Sequence, residues 1–257
     1  MLPVLKEVPL ETQITAYAAT PLDQAWRRKL LSAAVTIQTE EQAAGVQGEM
    51  LLAKTLSWYL SDDYYFLGGL VLVPDSDVDA LVVGPTGVWT YESKYWAGNV
   101  VCKGESWVHY KREGDKLEQI PAGSPDGQWL NSARRLEDSI KGALWELEES
   151  CPQALRVRGA VVFTYPQARC VIESPRAPCV TLDMMQVAPE DPLVAAVMPC
   201  TFAPIPGFQT EHRHRLLARL LAVHRQLAAP ALLPEFFFEL WLEDAAKQPA
   251  QVTGGTT

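Results

Sequence analysis

The stretch Asp75-Ser-Asp77-Val-Asp79-Ala-Leu-Val-Val-Gly-Pro85-Thr86-Gly-Val-Trp-Thr-Tyr-Glu92-Ser-Lys94 constrains the fold more than any other part of the chain. Two runs rich in β-branched and aromatic residues flank Pro85-Thr86, which predicts an antiparallel hairpin turning at that pair. A symmetric turn sets Asp79 opposite Glu92 and Asp77 opposite Lys94. Period-two alternation then puts those four residues on one sheet face and Val78, Ala80, Trp89 and Tyr91 on the other. Carboxylates directly opposite each other, with Cβ atoms roughly 5 Å apart, repel unless a cation sits between them. One resolution is a hard divalent cation held by Asp79, Glu92 and the Ser93 backbone carbonyl, with water and a phosphate oxygen completing the shell. Lys94 would then orient or deprotonate an attacking water and offset charge building up on the phosphate. The alternative is a solvated sheet edge on which Asp77 and Lys94 form a plain ion pair.

The surrounding pattern predicts a helix, meander, helix, strand order, and hence an α/β or α+β sandwich. Helical stretches are expected over residues 22–39 and 45–59. Strands are expected over 70–73, 77–83, 87–94, 99–103 and 106–111, read as one antiparallel meander. Trp129, Ala133, Leu136, Ile140, Leu144 and Leu147 fall at helical spacing and predict a single amphipathic helix. A strand follows at 157–164, with weaker ones around Val171 and Val180. Helices are again expected over 211–227 and 235–247. This divides the chain into an extension (1–40), a core (41–200), a helical segment (201–247) and a polar tail (248–257).

The 257 residues are 48% hydrophobic and 21% charged, which supports a full core. No run approaches the length of a membrane helix, and no secretory leader pattern opens the chain. Five cysteines at wide spacing, none in a CxxC pair, fit reduced thiols in the cytoplasm better than disulfides or a zinc site. A net charge of −9 argues against coating nucleic acid by overall field, but leaves room for a local basic groove or an acidic cation site. The best basic patch is Arg213, Arg215, Arg219 and Arg225, either outward on an amphipathic helix or in contact with phosphates. Arg134 and Lys141 lie on one side of the 129–147 helix among several carboxylates, so they are either phosphate contacts or part of a solvated face. His212 and His214, two residues apart, make a poor metal pair. Trp89, Tyr91 and Trp107 are expected in the core, while Tyr95 and Trp96 are candidates to line a cleft. The run Phe236-Phe-Phe238-Glu-Leu-Trp241 is too apolar for a free surface.

Taken in order, several of these elements resemble the nuclease-related domain, NERD, a branch of the PD-(D/E)xK nuclease-like superfamily. They are Gly45-Val-Gln-Gly48-Glu49 leading a helix, Val78-Asp79-Ala-Leu-Val-Val-Gly, Gly87-Val-Trp-Thr-Tyr-Glu92-Ser-Lys94, Gly98, Trp107, and Ser124-Pro125-Asp-Gly-Gln128 in place of an NPxxQ element. The resemblance covers roughly residues 41–165. It implies a restriction-endonuclease-like α/β core, a central mixed sheet flanked by helices, with Mg²⁺ or Mn²⁺ as cofactor and DNA as partner. By it Glu49, Asp79 and Glu92 are the acidic metal-site residues and Lys94 is the catalytic lysine; Gln128 of that element, and Arg134 and Arg213 from the basic residues above, are candidate substrate contacts. Departures stand at Asp77, where the family has an amide or small polar residue, at Ala80, where it has an aromatic or His, and at Ser124 in place of Asn. Glu49 also has a purely local reading, a carboxylate favoured by the dipole at the first turn of its helix. The competing function is a binding or scaffold module of the same fold that works through partner contacts of its terminal helices.

Overall fold

The computed structural model describes residues 40–227, except 74–75, 114–115, 122, 142–143 and 167. Residues 22–39, the 235–247 helix, the Phe236–Trp241 run and the tail lie outside the described residues. The chain folds as an α/β structure with a central mixed sheet flanked by helices, as expected.

Helix α1 (Glu40–Ser57) is followed by β1 (Tyr65–Val73), β2 (Ser76–Gly84) and β3 (Gly87–Lys94). These three strands pair antiparallel in the order of the chain. The β2–β3 turn is held by the buried Thr86 hydroxyl, which accepts from Trp89 Nε1 and bonds the Tyr64 hydroxyl, both at 3.2 Å. That anchoring fixes the hairpin register at Gly84–Gly87 through Ala80–Tyr91, the pairing a symmetric Pro85-Thr86 turn requires.

Beyond β3 the single meander expected from the sequence does not continue. β4 (Asn99–Lys103), β5 (Ser106–Glu113) and β6 (Lys116–Pro121) belong to a second sheet of order β6-β5-β4-β8. β6, which carries only Leu117 and Ile120 as large apolar residues, had no strand signature of its own and is held by pairing to β5. Helix α2 (Pro125–Ile140) stops at Lys141, whose backbone is extended, and a separate short helix α3 (Trp145–Ser150) follows. The one long helix predicted over 129–147 is therefore two. β7 (Val157–Phe163) and β9 (Cys179–Thr181) then add parallel to β3, completing the order β1-β2-β3-β7-β9, while β8 (Arg169–Glu173) adds parallel to β4. The short helices α4 (Leu182–Val187) and α5 (Pro192–Ala195) precede α6 (Thr210–Leu227).

The five-stranded sheet is covered on both faces. One layer packs Leu52, Ala53 and Leu56 of α1 with Met185 and Met198 against Ala80, Val82, Trp89, Tyr91, Ala160 and Val162. The other packs Leu136 and Ile140 of α2 and Leu216, Leu217 and Leu220 of α6 against Leu81, Val83 and Val88. Alternation accounts for that division along most of β2 and β3. It fails at one place. Val78, expected on the face of Ala80, Trp89 and Tyr91, lies in the α2–α6 layer, as do Leu70 and Leu72 of β1. The ladder steps from Gly68–Ala80 to Leu70–Val78 across Gly69 and Asp79, and Gly69 has φ +64°. A left-handed residue in a strand twists it and reverses the faces of the residues beyond it.

Gly69 is thus the residue with left-handed backbone at the point where the buried faces of β1 and β2 change layers. Replacing Gly69 by Val should destabilise the fold by about 1–2 kcal/mol more than replacing it by Asn, since only the β-branched side chain is strongly disfavoured in the left-handed region. Denaturant titration of the two variants checks this, and equal losses would show that the left-handed backbone at Gly69 sets no such limit.

Candidate active site

Three candidate side chains, Asp79, Glu92 and Lys94, meet where β2 and β3 end their shared ladder. Glu92, Ser93 and Lys94 close β3, beside Val161, Val162 and Phe163 of β7. Past the Ala80–Tyr91 pair, the Ser93 N–H donates not to a strand carbonyl but to Asp79 Oδ2 at 2.8 Å. This bond draws the carboxylate to the end of β3, next to Glu92. Glu92 is only 8% exposed, and Lys94 Nζ lies 2.6 Å from its Oε1. Lys94 turns to Glu92 along its own strand and not to Asp77, which is exposed and sits opposite Val71 of β1. The plain Asp77–Lys94 ion pair is therefore not formed.

The electrostatics follow from this crowding. Burial pushes the Asp79 carboxyl up to about 7, and the negative charge of Glu92 adds to the rise. Lys94 and the Ser93 N–H oppose it without cancelling it.

Glu49 approaches from α1. Because that helix begins at Glu40, Glu49 lies in its middle and not in its first turn, so the helix-dipole explanation is overturned. Gly48 is what brings this turn against the sheet. A Cβ there would lie 2.5 Å from Thr164 Oγ1 and 2.9 Å from Ser93 Oγ. Glu49 is half-buried with Oε2 shielded from solvent. Among the described residues, no three His, Cys, Asp or Glu side chains gather into a set able to hold a metal ion. The acidic pair brought together is Asp79 with Glu92. Two carboxylates, with backbone oxygen nearby and no thiolate or imidazole, form a donor set that fits a hard divalent cation.

The Ser124–Gln128 element forms the start of α2. Ser124 caps the helix, accepting from Gly127 N–H at 3.1 Å. The residue that sequence reasoning missed is Asp126, which is fully buried. It accepts from Trp107 Nε1 (2.9 Å), Gly127 N–H (2.8 Å) and Arg176 N–H (2.9 Å), and so joins β5, α2 and the 174–178 loop. Burial pushes the Asp126 carboxyl up, but its donors, Ser124 first among them, more than offset this and hold it below the usual carboxylate range. Gln128 and Arg134 are exposed.

Arg213 is not available as a phosphate contact. It is 5% exposed and donates to the Phe208 carbonyl and the Thr210 hydroxyl, both at 2.9 Å. Arg215 is paired with Glu211 at 2.7 Å. His214 bonds the Tyr65 hydroxyl at 2.9 Å, and His212 Nδ1 accepts from Gln209 N–H, so the two histidines serve separate purposes. Trp89, Tyr91 and Trp107 are buried as expected. Of the cleft candidates, Trp96 stacks on His109 and Tyr95 meets Tyr165 edge to face.

A mixed sheet flanked by helices is consistent with a nuclease-like core. Residues 44–164 match the model of the nuclease-related domain, NERD. No curated protein and no solved structure matches the chain.

The raised Asp79 carboxyl has a pH signature. A carboxyl that holds its proton more tightly when folded opposes folding wherever the unfolded chain would already have ionised, so the penalty is small near pH 4, builds as pH rises towards about 7 and levels off above it. In metal-free buffer, Asp79→Asn should melt within a degree of wild type at pH 4. At pH 7.5 it should be more stable by about 1–2 kcal/mol, roughly 2–8 °C. A variant that is less stable than wild type at pH 7.5 would show that Asp79 contributes net stabilisation as an anion.

Proposed function

We propose that this domain hydrolyses phosphodiester bonds in DNA with the help of a divalent cation, Mg²⁺ or Mn²⁺. The observation that carries the reading is the convergence of Asp79, Glu92 and Lys94 at the ends of β2 and β3, inside the segment that matches the nuclease-related domain. Asp79 and Glu92 would hold the cation, with the Ser93 carbonyl beside them and Glu49 tuning the site from α1. When bound, the metal would polarise the phosphate and lower the pKa of a coordinated water. The remaining work falls to the chain's own groups. The Ser93 N–H keeps Asp79 turned towards β3. The Lys94 ammonium, an obligate donor, orients the attacking water and offsets charge growing on the phosphate oxygens. Gln128 and Arg134, both exposed on α2, are the proposed DNA contacts. All five cysteines are free, which supports a reducing compartment, the cytoplasm. Among the described residues no helix is long and apolar enough to cross a membrane.

A second reading, a non-catalytic binding module, draws on one observation: Lys94 already neutralises Glu92 at 2.6 Å, as an ion pair with no catalytic role would. The terminal-helix version of that reading is weakened because Leu216, Leu217 and Leu220 of α6 are spent on the core.

Lys94→Ala separates the two. Under the nuclease reading it abolishes Mg²⁺-dependent degradation of supercoiled and single-stranded DNA. Calorimetric metal affinity should stay within a few fold or tighten, because an ammonium that competes with the cation for Glu92 has been removed. Equal cleavage by wild type and Lys94→Ala would sink the mechanism.

A further inference from the structure

The two strands that deliver the candidate site do not end there. Thr164 N–H donates to the Lys94 carbonyl at 3.0 Å, and Arg169 N–H donates to the Gly98 carbonyl at 3.3 Å. The ends of β3 and β7 are therefore bonded to each other at Lys94 and Thr164, and the starts of β4 and β8 at Gly98 and Arg169. Tyr95 and Tyr165, just beyond β3 and β7, meet edge to face with centroids 5.1 Å apart.

At the near end of the second sheet, registers align one residue from each strand. Arg169 pairs with Asn99, Asn99 with Tyr110, and Tyr110 with Gln119. This row faces outward. Arg169, Asn99 and Gln119 are exposed and Tyr110 is half-exposed, whereas Val100 and His109 of the next row are buried. Strand spacing sets neighbouring members about 4.8 Å apart.

We infer that this row is a binding track for single-stranded DNA, leading away from the end of β3; the inference rests on the nuclease reading for its polarity towards Lys94 and adds the strandedness of the substrate. Duplex affinity comes mainly from many phosphate contacts. A protein of net charge −9 whose row holds one cation, Arg169, is ill suited to that. Lys103, further along the same face, is set opposite Glu173, so it adds little net positive field. A half-exposed tyrosine flanked by two amides, with a guanidinium at the end of the row, matches a different chemistry, in which unpaired bases stack on an aromatic ring, amides bond base edges and the cation meets the backbone. Arg169 carries the charge complementarity, with no carboxylate in the row.

The test is fluorescence anisotropy in EDTA, where no cleavage occurs, with a labelled 20-nucleotide oligo-dT and a 20-base-pair duplex as probes. Wild type should bind the single strand at least ten-fold tighter than the duplex. Tyr110→Ala should weaken single-strand binding about 5- to 100-fold, the range of one lost base stack. Tyr110→Phe should retain it, and Arg169→Glu should weaken it and flatten its salt dependence. Circular dichroism of each variant establishes that it is folded, and Arg169→Glu, a change at an exposed residue, keeps the test decisive if Tyr110→Ala does not fold. The inference is overturned if duplex binds as tightly as single strand, if wild type binds neither, or if folded Tyr110→Ala and Arg169→Glu bind as wild type does. Plasmid cleavage by wild type alongside any of those outcomes would leave the nuclease reading standing. Single-strand binding that depends on Tyr110 and Arg169, in a protein that cleaves nothing, would support the track and remove the hydrolase.

Discussion

The hydrogen bond from Ser93 N–H to Asp79 Oδ2 is where sheet geometry becomes a site. A regular antiparallel ladder would have carried β2 and β3 past this point with backbone partners. Instead a side chain takes the donor, the strands part, and a carboxylate is carried into the space beside Glu92. The turn at Pro85-Thr86, anchored on a buried hydroxyl, fixes which residues meet and brings Asp79 level with the end of β3.

The rest of the molecule holds this junction still. β7 lies parallel to β3 and puts Val161, Val162 and Phe163, all fully buried, alongside Glu92, Ser93 and Lys94. Trp129 of α2 donates to the Thr90 carbonyl at 2.8 Å, two residues before Glu92, so the helix is tied to the strand that bears the site. Asp126 performs the same service at the start of α2, with four donors around one buried carboxylate. Such networks are rigid because leaving any one member unsatisfied in the interior is costly, on the order of 1–3 kcal/mol. Rigid support matters more to a site of like charges than to an ordinary surface, since repulsion would otherwise relax by moving the side chains apart.

Much of this was legible in the sequence, for reasons that are physical. The hairpin could be registered because a short turn and a two-residue period leave only one arrangement that buries Trp89 and Tyr91. The helix-flanked mixed sheet followed from element order and from the resemblance to the nuclease-related domain. What was not legible depended on residues far apart in the chain. The exchange of buried faces in β1 and β2 occurs at the left-handed Gly69, in a strand whose sequence reads as an uninterrupted apolar run. Asp126 reads as a turn residue until Trp107 and Arg176 are seen to converge on it. The break at Gly98 that sends the chain into a second sheet leaves no mark in a strand pattern that continues on both sides. Arg213 was legible and was misread: it precedes Leu216, Leu217 and Leu220 by three, four and seven residues, which places it on the buried stripe of its helix and not on the outer face.

The charges at the site explain why it reads as a place for a cation. Glu92 and Lys94 compensate each other, and Asp79 then remains as a buried carboxyl whose proton is held up to about 7. Two unit charges 4 Å apart at a partly buried position interact by about 4 kcal/mol. The Lys94 ammonium bound to Glu92 also favours the Asp79 anion, but burial and the Glu92 charge outweigh it. Protonation, the response available to the metal-free protein, removes the repulsion but surrenders the anion. On the proposed reading, Asp79 and Glu92 would hold a divalent cation that offsets both charges at once, and Lys94, released from Glu92, would then be free to meet a phosphate. The Lys94–Glu92 pair is what the metal-free protein keeps under either reading, because Glu92 needs a positive partner as long as no cation is bound.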